Sequence, residues 1–386
     1  MRKARLRVVI VGAGPAGLYL GYLLKRSVAD FHIEIIEQNP VDATFGFGLA
    51  FSERALEFLK REDAGTWAAM QPSLELWSDS ILHLNGEVIR IDGMGYAGIG
   101  RLRLLEILQA RARAVGIEPL YSRKLASIAE LGETDLIVGA DGANSIVRSS
   151  QEADFGTSTE LCTNRFAWYG TQKRFDALSH SFIETPDGVF NAHHHPHASG
   201  MSTFVVETDE ATFFRCGLDR MDVDAARDFC ERVFADTLGG APLISNKSIW
   251  RQFPRIWNQH WSVGNRVLVG DALHTAHFSI GSGTRLAMED AIALARALED
   301  HVDDIPGALA AYEDARKPAL RSLIAAANAS AQWYEHFAGH MRLAPLEFAM
   351  SYITRSGRVD LERLRRTSPE FVSAYEAHVR TATLSR

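Results

Sequence analysis

The sequence predicts an α/β fold in which a parallel-sheet, nucleotide-binding body is interleaved with a β-rich insertion and followed by a helical C-terminal region. Three observations predict it. Three dispersed segments each run from an apolar strand through a Gly- or Asp-bearing turn toward a helix. The stretch Arg165 to Val206 reads as several short strands separated by turns. Helical periodicity is clear in Leu102 to Ala114, in Ala291 to Glu299 and in Ile305 to Trp333.

The first segment is VVIVGAGPAGLYLG, where a β-branched apolar run stops at Gly12 and a helical pattern begins after Gly17. That context is what makes a GxGxxG spacing informative. Gly12 permits the tight turn, Gly14 lets the backbone approach a pyrophosphate, and Gly17 lets helix and strand pack closely. Phosphates would then rest on free N–H groups at the positive end of the helix. A second strand pattern, HIEIIEQ, ends at Glu37. A carboxylate about twenty residues past the last glycine can accept hydrogen bonds from a ribose, and it favours a ribose without a 2′-phosphate. By itself this segment does not separate one dinucleotide cofactor from another.

The second segment is DLIVGADGANSIVR, Asp135 to Arg148, in which an apolar strand delivers Asp141 and Gly142 to a turn and Ser145 and Arg148 follow on the next helix. The third, GDALHTAHFSIGSGTRLAMEDA, runs from Gly270 to Ala291 through a glycine-bearing turn into a helix. One Asp-Gly turn is common. Three such segments in one chain are not.

Composition sets the bounds. With 386 residues, 46% of them hydrophobic, the chain can bury a large core as one domain or two intimately joined ones. A net charge of -7 argues against nucleic-acid binding, which leans on a basic surface. Cys162, Cys216 and Cys230 are odd in number and lack metal-ligand spacing, so reduced thiols in the cytoplasm are expected. No apolar run reaches membrane-spanning length, and MRKARLR leads into a strand instead of a signal-type apolar region. No linker, low-complexity tract or repeat divides the chain, so a second domain must be interleaved with the first.

Together the glycine turn, the Asp-Gly segment with Ser145 and Arg148, and the Gly270-Asp271 segment resemble the three fingerprints of the single-component (class A) FAD-dependent aromatic monooxygenases. RFAWYGTQKRFDALSHSFIE, GVFNAHHHPHASGMSTFVVE, HFSIGSGT and FAMSYITRSGR are similar to the salicylyl-CoA 5-hydroxylase and 2-aminobenzoyl-CoA monooxygenase group. The violacein-pathway indole hydroxylase shares WYGT, MSTF and HFSIG but is less similar from TRSGR onward. The resemblance covers essentially the whole chain, with two departures. Phe278 stands where the wider family often has proline, and the old-yellow-enzyme-like domain of several CoA-thioester relatives is missing, so no coupled ring reduction is expected.

The resemblance implies a Rossmann-like FAD-binding domain of the glutathione-reductase type, p-hydroxybenzoate-hydroxylase-like, made of residues 1–75, 98–155 and 262–330. A β-rich substrate domain would take 76–97 and 156–261, and a helical region 331–386. It implies FAD as cofactor, NADH or NADPH as co-substrate, and O₂-dependent hydroxylation of an electron-rich ring through a flavin C4a-hydroperoxide. The foremost substrate is an aromatic acyl-CoA such as salicylyl-CoA, hydroxylated at position 5; an indole or a free aromatic acid is the alternative. From other classes, an FAD-dependent oxidase or dehydrogenase and a nucleotide-binding protein without redox turnover stay open. Neither nucleic acid nor membrane is expected as partner, and a homodimer stays open.

Residue by residue, the resemblance assigns Gly12, Gly14, Ala16 and Gly17 to the pyrophosphate, Glu37 to the ribose, and Asp141 to the pyrophosphate region. It assigns Asp271 to the ribityl hydroxyls, and the backbone around Gly281, Gly283 and Thr284 to the pyrimidine edge of the flavin. There a helix N-terminus would oppose the negative charge of the reduced ring. Arg101 matches the arginine that reaches the FAD phosphates, and Arg54 is either its assistant or a solvated helix arginine. Gly46 and Phe47 are placed near the isoalloxazine, with a plain core phenylalanine as the other reading.

The chemistry needs no nucleophilic triad. It needs a dry slot and a group that accepts a proton from the ring substituent. Candidates are Tyr169 in a strand-like run, His193 and His195 sharing one strand face, and His277 in the turn at the flavin edge, the best placed of the four. For each, a local hydrogen bond or core packing is the plainer reading. His193, His194, His195 and His197 do not make a metal site, since Pro196 interrupts them and no Cys or carboxylate completes a set. The aromatics Trp333, Tyr334, Phe337 and Phe348 are read as core or dimer interface, with a substrate-channel wall as the alternative. Arg251 and Arg255 are candidates for the phosphates of a CoA tail, with solvated surface arginines as the plainer reading.

Overall fold

The computed structural model describes residues 6–27, 31–44 and 46–384; the side chain of Arg54 lies outside the described residues. The apolar, β-branched strand Leu6–Val11 lies inside a five-stranded sheet. It pairs in parallel with Phe31–Ile36 on one side and Leu136–Gly139 on the other, and Arg266–Leu268 pairs in parallel beyond that. Val8, Val9 and Ile10 are fully buried, as central strands covered on both faces require. Gly12 turns the chain at the end of the first strand with φ +107, and a Cβ there would lie 2.3 Å from the Ala140 carbonyl oxygen. Gly17 lets the helix Pro15–Arg26 close on that turn, since its Cβ would fall 2.0 Å from the Gly12 oxygen. The same helix packs against Gly283–Asp300.

The large sheet has seven strands in the order Leu243–Ser245, Arg165–Thr171, Met201–Thr208, Gly188–Ala198, Leu178–Thr185, Ser80–Leu84, Glu87–Ile91. All neighbours are antiparallel except Leu178–Thr185 and Ser80–Leu84. Alternation along its strands divides the side chains between two cores. Ala167, Tyr169, Phe190, Ala192, Phe204 and Val206 form one with Phe213, Cys230 and Phe234 of the helical excursion that follows. Leu82, Leu84, Ile91 and Phe182 face the other way, onto Trp333, Tyr334, Phe337, Phe348 and Tyr352. The C-terminal aromatics are therefore core, clamping the helical region to the sheet.

A small sheet of Gly48–Ser52, Tyr96–Gly100 and Glu75–Trp77 joins the two bodies, and Thr157–Leu161 pairs with Pro254–Asn258 in a separate ribbon. The division at residues 75–76 and 97–98 drawn from sequence runs through two strands of this small sheet. Backbone pairing between distant segments, which no local pattern reports, makes them one unit. The long helix Ile305–Glu335 continues through Pro318. Among the described residues no helix is long and apolar enough to cross a membrane.

Candidate active site

A cavity of about 520 Å³ lies where the carboxyl ends of the parallel strands meet the large sheet. That is where open α/β sheets place ligands, because strand ends and helix N-termini leave backbone donors free there. Gly12, Gly14 and Ala16 form one end of its wall. Pro15 opens the first helix, and Gly14 as its cap offers no side-chain acceptor to the first-turn N–H groups. A Cβ on Gly14 would meet nothing within 4 Å, so the turn is open to the cavity.

Glu37 also lines the wall. One carboxylate oxygen accepts from the Ala13 N–H (2.9 Å) and the other from the N–H and side-chain amide of Asn39 (2.8 and 2.7 Å), so the carboxylate is fixed in place. Asp141 accepts from the Ile146 N–H (2.7 Å) through Oδ2, while Oδ1 is buried with no hydrogen-bond partner. Burial pushes its pKa up, against the hydrogen bonds from Ser145 and the turn. Arg148 does not reach the cavity. It is buried, and it ties the segment to the next one by donating to the carbonyls of Ala272 (2.9 Å) and Ala143.

Asp271 faces Arg101 across the cavity wall. The surrounding protein raises the Asp271 pKa and Arg101 opposes the rise, although the carboxylate itself opens onto cavity space. Arg101 is in turn pushed down by burial and held up by Asp271. At the far end, Gly281, Gly283 and Thr284 line the wall where the helix Gly283–Asp300 begins. Gly281 has φ +58, and a Cβ there would stand 2.6 Å from the Ala50 carbonyl oxygen. Ser282 provides no side-chain cap, so the first-turn donors of an 18-residue helix are uncapped beside the cavity.

This helix start is pinned from beneath. Asp290 Oδ2 accepts from the Gly270 N–H (3.1 Å) and pairs with His274 Nε2 (2.7 Å), while Oδ1 accepts from Arg316 Nε (2.9 Å). Sequence reasoning missed this buried group. Its signal was an acidic residue among apolar positions of the helix pattern, but the partner Arg316 lies too far along the chain to be inferred.

Three expected cofactor residues are not in the wall. Gly17 is consumed by helix–strand packing. Gly46 stands against the Trp168 ring (3.2 Å from a Cβ position) and Phe47 against Gly170, held there by Asn246 Nδ2 donating to the carbonyls of Thr44 (3.0 Å) and Gly46 (3.3 Å). Trp168 therefore lines the wall, its ring centroid 6.2 Å from that of Phe278.

Trp168, Phe253, Phe278, His193 and His195 also line the cavity, with the Phe278 ring centroid 6.2 Å from that of Trp168, 6.0 Å from that of Phe253 and 5.6 Å from that of His193. The two imidazoles are parallel, 6.2 Å between centroids. Burial, reinforced by His195, His277 and Arg355, pushes His193 down to about 3, and burial pushes His195 down to about 4 against the hydrogen bond to Pro196, so both are neutral. His195 Nδ1 lies 3.0 Å from the Pro196 carbonyl oxygen, which can only accept. Nδ1 therefore carries the proton, and Nε2 offers a lone pair.

The other two catalytic candidates sit elsewhere. Tyr169 is fully buried on the opposite sheet face, since it follows Trp168 on an alternating strand. His277 is turned out of the wall: its Nδ1 pairs with Ser279 Oγ (2.8 Å) and caps the turn Phe278–Ile280, while its neighbours Ala276 and Phe278 face the cavity. Arg255 is paired with Glu160 (2.6 Å) and Arg251 is exposed near Arg101.

A family described as "FAD binding domain" matches residues 130–327, and one described as "NAD(P)-binding Rossmann-like domain" matches residues 10–55. The chain is 40% identical to a salicyloyl-CoA 5-hydroxylase of Streptomyces sp, over 91% of this chain and 70% of the relative. The chain belongs to the FAD-dependent aromatic monooxygenases. A second member, the 3-hydroxy-4-methyl-anthranilyl-[aryl-carrier protein] 5-monooxygenase of Streptosporangium sibiricum, is 34% identical over 85% of this chain and 89% of its own length. Among solved structures, 2-methyl-3-hydroxypyridine-5-carboxylic acid oxygenase matches the fold with TM-score 0.71 at 18% identity, covering 92% of this chain and 96% of that one.

This monooxygenase uses FAD as cofactor and NAD(P)H as co-substrate, and its residues fit the flavin dinucleotide. The open Gly14 turn, the unpartnered Asp141 oxygen, a guanidinium at Arg101 and two uncapped helix starts are donors and acceptors in want of partners.

Proposed function

We propose that this monooxygenase hydroxylates an amino- or hydroxyaryl thioester, foremost an aromatic acyl-CoA of the salicylyl-CoA type. The observation that carries the reading is one continuous cavity, lined both by the Gly12–Ala16 and Gly281–Thr284 turns and by Trp168, Phe253 and Phe278 with the neutral His193 and His195. Both relatives named above act, by their names, on aryl groups held by CoA or a carrier protein. Only the aryl head would enter the slot, with the carrier outside it.

Bound FAD, once reduced by NAD(P)H, activates O₂ and delivers one oxygen atom to the ring carbon. The protein's share is to bind, orient and keep dry. Ala16 and its neighbours would hold the pyrophosphate on the first helix N-terminus, with Arg101 as its cation. Glu37 would take the adenosine ribose and Asp271 the ribityl hydroxyls. The N–H groups around Gly283 would oppose negative charge at the pyrimidine edge.

His193 and His195 handle the proton. A base with its proton affinity lowered this far takes little from a resting phenol or aniline. It serves as a hydrogen-bond acceptor until oxygen attaches to the ring, when the substituent's proton becomes strongly acidic and Nε2 of His195 can take it. The aromatic walls exclude the water that would otherwise compete. Free thiols, two of them buried, favour a reducing compartment such as the cytoplasm.

The test is substrate-stimulated NAD(P)H oxidation with salicylyl-CoA, 2-aminobenzoyl-CoA, their carrier-protein thioesters, the free acids and indole, with mass analysis for one added oxygen. Product from a thioester supports the reading. Coupled product from free acids or indole alone overturns it.

A further inference from the structure

The motif TRSGR takes no part in the cavity wall, yet its first arginine reaches back to the flavin turn. Arg355 ends the helix Pro345–Thr354. Its Nε donates to Ser330 Oγ on the long helix (3.0 Å), Nη1 to the Tyr352 carbonyl (2.7 Å) and Nη2 to the Ser279 carbonyl (2.8 Å). Ser279 and Ser330 share a hydroxyl hydrogen bond of 2.7 Å, and His277 joins them through Ser279. Two helices of the C-terminal half thus converge on Ser279, two residues before the stretch whose Gly281, Gly283 and Thr284 line the cavity.

Every partner of this guanidinium is neutral. It lies 4.0 Å from the Tyr352 ring centroid and 5.6 Å from that of Tyr334. Burial works against its charge, and tyrosines, not a carboxylate, compensate. An arginine in such a setting keeps its full charge, and with little solvent around it that charge is poorly screened. The charge reaches the cavity, since Arg355 helps to hold both His277 and the wall residue His193 neutral.

We propose that Arg355 is a positioning residue that braces the Ser279–Thr284 turn and sets a fixed positive charge behind it, raising the reduction potential of the bound FAD. A flavin gains negative charge on reduction, so a nearby cation favours the reduced form. The proposal rests on FAD occupying the cavity and is independent of which aromatic substrate follows.

The test uses holoenzymes of wild type, Arg355→Met, Arg355→Gln and Arg355→Lys, each equilibrated with a reference dye during stepwise reduction in the absence of aromatic substrate. Loss of the charge should lower the equilibrium constant for flavin reduction about tenfold in the Met and Gln variants, about 30 mV for a two-electron couple. The Lys variant should stay close to wild type. Arg355→Gln keeps a donor for one carbonyl, so a neutral variant is measurable if Arg355→Met does not fold. A wild-type potential in the neutral variants, or a Lys variant that falls as far as they do, overturns the proposal. Because no hydroxylation is measured, failure here leaves the thioester assignment standing, and the reverse.

Discussion

Neutral buried histidines make the holoenzyme acid-labile, and the size of the effect follows from the structure. His180, His193, His194, His195, His197 and His277 all have pKa values pushed down by burial, His193 and His277 to about 3, His195 and His197 to about 4. In the unfolded chain each titrates near 6.5. As pH falls through 6.5 the unfolded state gains protons that the folded state refuses, so stability is lost on the acid side. Between pH 7.5 and 5.5 His193, His195, His197 and His277 together contribute a loss of about 5 kcal/mol, and His180 and His194 act in the same direction. Glu207 acts in the opposite direction. Burial raises it to about 8 against the hydrogen bond from Asn164, so the folded state holds a proton there that the unfolded state has released. It returns about 2 kcal/mol over the same interval, leaving a net loss of about 3 kcal/mol from these five groups, a large part of the stability of many domains. Urea unfolding followed by tryptophan fluorescence at a fixed, saturating FAD concentration measures this directly. His194→Gln serves as the internal control, because His194 faces Phe175 and Phe204 on the sheet face away from the cavity. Its stability should fall less steeply than wild type below pH 6.5, because burial holds the His194 pKa well below its ordinary value. A wild-type change below about 2 kcal/mol across the interval, or a variant with an unchanged slope, would refute the reasoning.

Asp271→Ala should lower FAD retention about tenfold or more, read from the flavin-to-protein absorbance ratio after gel filtration, with far-UV circular dichroism unchanged. Gly281→Ala forces a side chain into φ +58 and against the Ala50 oxygen at 2.6 Å, so it should weaken FAD binding and cost about 1–3 kcal/mol of stability. Tyr169→Phe removes a buried hydroxyl whose neighbour is the Cys230 thiol on the sheet face opposite the cavity. Its stability should stay within about 1 kcal/mol of wild type, and coupling of NAD(P)H oxidation to product should be unaffected.

The parts of the site legible in the sequence are those whose requirement is local. Gly12 turns at positive φ, Gly14 precedes the first helix without a side chain, and Asp141 and Asp271 follow strand ends at a turn; each is a pattern of a few consecutive residues. What failed was parity and partnership. Tyr169 and Trp168 are adjacent on one strand, and the strand pattern alone offers both faces. His277 lies in the right turn, but the hydroxyl of Ser279 rotates it out of the wall. Phe47 yields its place to Trp168 because Gly170 leaves room for its ring on the sheet. The bonds of Asp290 to His274 and Arg316, and those of Arg355 to Ser279 and Ser330, join residues from separate elements, so no spacing announces them.

By itself the sequence determined the fold class and the three strand–turn–helix segments that line the cavity, because strand–turn–helix geometry acts within a few residues, and its family resemblance named the flavin dinucleotide. The tertiary structure alone decided which face of the large sheet meets the cavity, and hence that His193, His195 and Trp168 line it while Tyr169 does not. That choice depends on which of two alternating faces packs against the parallel-sheet body, a contact between segments far apart in the chain.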